Sequence, residues 1–330
     1  KGRSSELCAA KGTEQVYLDF LKKVYELVDA RGRVMQFWGD IILHEPHLIP
    51  QLPADAIAME WGYEASHPFD EHCQHFAEAG LMFYVCPGTS SWNTLGGRTD
   101  NALTNIERAA VNGKEAGANG LLNTDWGDNG HMQPLPVSYL GFMAGAAASW
   151  HAAVRIDEID FPAMLDRYAF EDLAGVMGEA AYDLRKVYKL PGIETPNASP
   201  LFLLILHPER PLGEYVEQGL SSEGLREARS ALSAVKHRVP DAQMARVDAA
   251  WIREEFAWVI DMLDFGARLG LARLANGPEA PTSALPGSER ETLASDLAPL
   301  IERHREIWLL RNRPGGLDDS AARLERLLAL

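Results

Sequence analysis

Cysteine is scarce in this 330-residue chain: Cys8, Cys73 and Cys86 are the whole supply. An odd count with no CxxC and no Cys/His metal spacing excludes a disulfide scaffold, and reads as reduced core thiols in a reducing, cytoplasmic compartment. Positive charge is also short. Lys and Arg total 31 against 47 Asp and Glu, a net of −16, and so acidic a surface repels phosphate backbones, which argues against a nucleic-acid partner. No apolar run is long. Leu201 to Leu206 and Gly141 to Trp150 fall well short of the roughly 20 residues that a bilayer requires, so no membrane partner is expected. No Gly-rich phosphate loop follows any strand-like segment, and no Gly-x-Ser-x-Gly elbow surrounds Ser90-Ser91. A dinucleotide fold and a serine hydrolase lose their main signals, and no cofactor is expected. Fixed-period repeats and low-complexity tracts are missing too.

What is present is globular: 46% hydrophobic and 24% charged residues. The first 150 residues alternate helix and strand. Val16, Tyr17, Phe20, Leu21, Val24 and Leu27 recur at helical spacing before Gly32. Short apolar strands are expected at 34–38, 56–61, 81–86 and 120–124. Between them, helices begin near Asp70 and at Thr99 or Asp100, and a last one runs from Ala144. Such alternation demands a parallel sheet with helices outside it. After about residue 155 the character changes. A stretch from Pro191-Gly192 to Pro200 reads as a linker, and helices follow at 222–239, 242–274, 288–311 and 317–330. Val247, Ala250, Trp251, Phe256, Val259, Ile260 and Leu263 form an apolar stripe, which suits bundle packing first and a homodimer through the helical region second.

Each strand ends in a tryptophan or runs into one: Trp38, Trp61, Trp92 and Trp126, with gaps of 23, 31 and 34 residues. Each gap is about one strand–helix unit. In a parallel α/β fold the C-terminal strand ends share one face, which holds the active site, so the spacing gathers four indoles at one pocket. Indole presents a flat apolar face with one N–H donor, which suits the C–H patches and hydroxyls of a pyranose. Asp40, Glu60, Tyr63, Asn93, Asp125 and Asp128 stand beside the rings as groups that fix hydroxyls by charge-assisted hydrogen bonds. Weaker candidates surround these. His44, His47, His67, His72 and His75 are numerous, but the helix carrying the last two should lie outside the sheet. They read as solvated-face residues, and no metal is expected. His131 and Gln133 either line the pocket or finish a turn beside Pro134 and Pro136.

The stretches Phe37-Trp38-Gly39-Asp40, Glu60-Trp61-Gly62-Tyr63, Pro87 to Thr94 and Thr124 to His131 carry a resemblance. From Lys1 to about Trp150 the chain resembles the second half of the catalytic barrel of family 20 glycoside hydrolases, the β-N-acetylhexosaminidases. Lys1 to Ser4 match that family too. The tail, with Trp308, Arg311-Asn312-Arg313 and Pro314-Gly315-Gly316, is similar to its bacterial exo-N-acetylglucosaminidase branch with a helical C-terminal domain. The resemblance implies an α/β fold: the second half of a (β/α)8 barrel over residues 1–154, then an all-α domain over 155–330. It implies a terminal N-acetylhexosamine as substrate and a retaining mechanism in which the substrate's acetamido oxygen attacks C1. An adjacent Asp-Glu pair at a strand end orients the acetamide and supplies the general acid. Neither Asp70-Glu71 nor Asp157-Glu158 ends an apolar strand. The pair is therefore expected upstream of Lys1, leaving the chain as an inactive fragment with exposed sheet edges. Trp38, Trp61, Trp92 and Trp126 are the implied ring walls, with Asp128 on the outer hydroxyls and Asp40 and Glu60 as further acceptors. Trp92-Asn93 stands where many members carry Tyr-x-Asp, so the acetamide clamp falls to Asn93 or Tyr63. The residues alone leave two other readings open: a carbohydrate-binding module without catalysis, and an unrelated α/β hydrolase using Asp125 and Asp128, or Asp40, as its acid/base pair.

Overall fold

A computed structural model describes residues 2–152 and 155–329. The chain is 64% helical with one small parallel sheet. In order the elements are α1 (Ser5–Lys11), α2 (Thr13–Asp29), β1 (Gln36–Trp38), α3 (Asp40–Leu43), β2 (Ile57–Trp61), α4 (Phe69–Glu78), β3 (Met82–Cys86), α5 (Thr99–Glu115), β4 (Gly120–Leu121) and α6 (Tyr139–Trp150). The rest is helical: α7 (Phe161–Leu165), α8 (Met177–Leu184), α9 (Pro200–Leu206), α10 (Gly213–Gln218), α11 (Ser222–Arg238), α12 (Ala249–Asn276), α13 (Gly287–Arg311) and α14 (Leu317–Glu325).

Two compact units result. One comprises Lys1–Gly88, Ala102–Thr124 and Ala144–Ile156; the other comprises Thr89–Asn101, Asp125–Met143 and Asp157–Leu330. The division therefore differs from a single cut after residue 154. The segments that follow β3 and β4 belong to the second unit, because their hydrogen-bond partners lie on its later helices and turns.

In the first unit the sheet runs β1-β2-β3-β4, every pair parallel and every neighbour next in sequence. Residues alternate between two faces. Phe37, Ala58, Phe83 and Val85 turn to one face and join Leu18 and Leu21 of α2 and Phe69, Cys73 and Phe76 of α4 in the core. Trp38, Met59 and Trp61 turn to the other, where Trp38 pairs with Met59 and Trp61 with Cys86. β4 is shorter than the 120–124 expectation, since only a lone bridge from Gly88 to Thr124 continues it.

In the second unit, α12 is the central helix, packed by α9, α11 and α13. The apolar stripe is mostly interior: Phe256, Val259, Ile260 and Leu263 are buried, while Val247 and Trp251 remain exposed. The stretch 191–200 is not a linker. Thr195, Ala198 and Ser199 are buried, and the Ser199 hydroxyl caps α9 by accepting from the Phe202 N–H. Among the described residues no helix is long and apolar enough to cross a membrane. Cys73 and Cys86 are buried free thiols and Cys8 is half-buried.

Candidate functional site

The first unit presents its strand-end aromatics openly. Trp38 closes β1 and is 39% exposed. Trp61 closes β2, half-buried, and stacks on Tyr63 with centroids 5.1 Å apart at 29°. The register puts Trp38 and Trp61 on the same sheet face, on adjacent strands and two positions apart. Strand spacing and rise make that a separation of roughly 8 Å between their backbones. Asp40 follows in the first turn of α3, half-buried; burial, with the Asp40 charge, pushes the Tyr17 phenol up.

Glu60 is a correction. It was expected as a sugar acceptor, but strand alternation turns it to the opposite face from Trp61, toward α4. It is 1% exposed. Its Oε1 receives Nε2 of His67 at 2.7 Å and Nδ1 of His72 at 2.8 Å. Burial alone would raise the Glu60 carboxyl, yet the two imidazole hydrogen bonds and charges outweigh it and hold the group below its ordinary value. The hydrogen bond that His72 donates to Glu60 pushes His72 up against burial. His67 and His72 are thus not solvated-face residues. Gly62 makes the arrangement possible, since a Cβ there would lie 2.1 Å from Cγ and Nδ1 of the His67 ring.

The second unit treats its strand-end loops differently. Residues 87–99 are all buried, and Ser90, Asn93 and Leu95 hold left-handed backbone at φ 52, 55 and 62, a strain that persists only where the surroundings fix it. Arg185, just past α8 and fully buried, supplies the fixing. Its guanidinium donates to the Thr89 carbonyl at 2.7 Å, the Val137 carbonyl at 2.6 Å and Ser91 Oγ at 3.1 Å. Burial pulls its pKa down to about 10. Gly97, at φ +84, has its Cβ position 2.1 Å from Nη1 of Arg185, so only glycine fits there.

Trp92 and Asn93 are therefore corrections as well. Trp92 is 1% exposed and its indole N–H donates to Asn197 Oδ1 at 2.8 Å, so neither ring face is open for stacking. The Asn93 amide donates to the Asn197 carbonyl and accepts from Asn129, which occupies it structurally. Asp125 accepts from Thr89 Oγ1 at 2.5 Å and Ser138 Oγ at 2.9 Å, one on each oxygen, so it anchors the chain rather than acting as half of an acid/base pair. Asp128 is exposed and Trp126 half-buried. Gln133 finishes a turn, donating to the Trp126 carbonyl. Next to this loop a cavity of about 120 Å³ is lined by His131, Glu255, His304 and Trp308 among others. Its charges are already matched, with Arg311 on both oxygens of Glu255. A larger cavity of about 230 Å³ is mainly aliphatic, between α12 and α13.

Of the expected residues, the first unit brings together Trp38, Asp40, Trp61 and Tyr63, and the second carries Trp126 and Asp128 on one loop. The sequence reading missed Arg185 and the tie from Glu60 to His67 and His72. The latter had a signal: a carboxylate inside a strand otherwise apolar, Ala56 to Trp61, needs a buried partner. Arg185 had none. No family model matches the chain, and comparison with curated proteins returns no match.

Proposed function

We propose that this chain contributes substrate-binding structure to a retaining β-N-acetylhexosaminidase-type glycoside hydrolase, acting on a terminal N-acetylglucosamine or N-acetylgalactosamine. The observation that carries the reading is the aromatic rim of the first unit: exposed Trp38 and the Trp61–Tyr63 stack, on one sheet face at adjacent C-terminal strand ends, with Asp40 following. Flat aromatic faces beside a carboxylate suit a pyranose. A sheet wound in simple sequence order, with its helical core on one face, is also what half of a (β/α)8 barrel contains.

The substrate-assisted reaction needs an Asp-Glu pair at a strand end. Here Asp70-Glu71 lies in the first turn of α4 and Asp157-Glu158 in a short helical turn. Neither has that position, so the role assigned to these residues is binding and orientation. The test is a titration of the chain with N-acetylglucosamine, followed by tryptophan fluorescence, with glucose as control. Saturable quenching by the acetamido sugar, weakened in Trp38→Ala, is expected. A flat titration, or an unchanged affinity in both Trp38→Ala and Asp40→Asn, overturns the reading.

A further inference from the structure

The end of β2 collects three groups whose common chemistry is metal ligation. We propose that Glu60, His67 and His72 form a site for a divalent transition-metal ion, with zinc the best match. Their ligand atoms all lie within 4.8 Å of one another. Each comes from a different part of the chain: Glu60 from β2, His67 from the connection after it, and His72 from the first turns of α4. The two imidazoles aim different nitrogens, Nε2 and Nδ1, at the same carboxylate oxygen.

Charge favours an ion there. Glu60 is almost wholly removed from water, and the partners on its Oε1 are the two imidazole rings. An isolated buried carboxylate is costly, and a dication beside two neutral imidazoles offsets it. The donor set also selects the ion. Two nitrogens and one carboxylate match the His₂Glu set of zinc sites that keep an open position, and disfavour calcium and magnesium, which take oxygen.

Geometry permits it with small motion. Ligand distances of about 2.0–2.1 Å at a tetrahedral angle place neighbouring donor atoms about 3.3 Å apart. The present 2.7 and 2.8 Å must each open by roughly half an ångström, which modest turns of the imidazole torsions supply. The rings are held for it. His67 lies edge-on to Phe69 at 4.6 Å and to His72 at 5.1 Å, over the space that Gly62 leaves. An entry side exists, because the imidazole side chains are 18% and 28% exposed while Glu60 forms the floor at 1%. Bound metal would cross-link β2, its following loop and α4. The site stands whether or not the aromatic rim binds a sugar.

The experiment uses the whole chain, stripped by chelator and titrated with Zn²⁺ against a chromophoric competitor, then with Co²⁺ by visible absorption. One ion per chain and d–d bands of low coordination number are expected. His67→Ala, His72→Ala and Glu60→Gln should each weaken Zn²⁺ about 100-fold or more, whereas His75→Ala, one turn further along α4, should leave it unchanged. Failure of the wild type to bind Zn²⁺ at micromolar concentration, or an affinity unaltered in His72→Ala and Glu60→Gln, overturns the site and leaves a hydrogen-bonded bridge. Should a variant not fold, imidazole ¹⁵N shifts of the wild type with and without Zn²⁺ decide. Movement of the His67 and His72 resonances supports the site, and movement of other histidines alone refutes it.

Discussion

The connections after β2 and β3 make an instructive pair. Each follows a parallel strand, with a tryptophan at the strand's end in one case, Trp61, and six residues beyond it in the other, Trp92. After β2 the aromatic groups stay partly open, and the buried charge, Glu60, is tied to two half-exposed imidazoles. After β3 nothing is open: residues 87–99 are buried, three non-glycine residues are left-handed, and a buried arginine donates to the Thr89 carbonyl and Ser91 Oγ. A tryptophan at or shortly after a strand end is thus a partly open ring in one case and a packing element in the other. What separates them is whether later chain supplies partners: Asn197 and Arg185 do so for the loop after β3.

The largest break in that contrast should come from Arg185→Ala. It removes three buried charged hydrogen bonds, to the Thr89 and Val137 carbonyls and to Ser91 Oγ, each worth about 1.5–3 kcal/mol. A stability loss of about 5 kcal/mol by urea unfolding is expected; a loss under about 1 kcal/mol would show that the loop holds itself. Trp92→Ala should follow at about 4 kcal/mol, with sugar titration unaffected if the protein is assayed well below its unfolding midpoint.

A third effect concerns the loop after β4. Burial, with Arg305 and His131, holds His304 down to about 4 from an ordinary 6.5. Its Nε2 meets Ser320 Oγ at 2.9 Å, and that hydroxyl donates to the Gly130 carbonyl, so Nε2 carries the proton and donates. The folded state therefore takes up a proton less readily than the unfolded chain. Stability is fully present above 6.5 and falls as pH drops toward about 4, by up to about 3 kcal/mol. His304→Gln should flatten that slope in unfolding curves taken across the window. The smallest effect sharpens the contrast from the open side. Trp38→Ala should change stability by no more than about 0.5 kcal/mol while lowering N-acetylglucosamine affinity about tenfold.

Much of the fold was legible. The four strands, α2, α4, α5 and the long C-terminal helices follow from apolar periodicity, because each buries one face against a neighbour. Their ends drifted by a few residues where backbone pairing, which periodicity does not encode, stops: β4 keeps only two residues of five. The site was legible in part. Trp38 and Trp61 could be placed at strand ends, but the burial of Trp92 depends on Asn197, more than a hundred residues away, and no local pattern carries it. The stretch 191–200 misled for the same reason. Its Pro, Gly, Asn and Ser content reads as a spacer, while Thr195, Asn197 and Ser199 are spent on buried hydrogen bonds.

Arg185 reaches back across 94 and 96 positions to Ser91 and Thr89. During synthesis, then, the segment following β3 must wait: its buried charged donor is missing until about a hundred further residues have left the ribosome. Until Arg185 and then Asn197 and Ser199 emerge, the turn after β3 has only its own short-range bonds to hold it, and its final shape is written by chain made long after it.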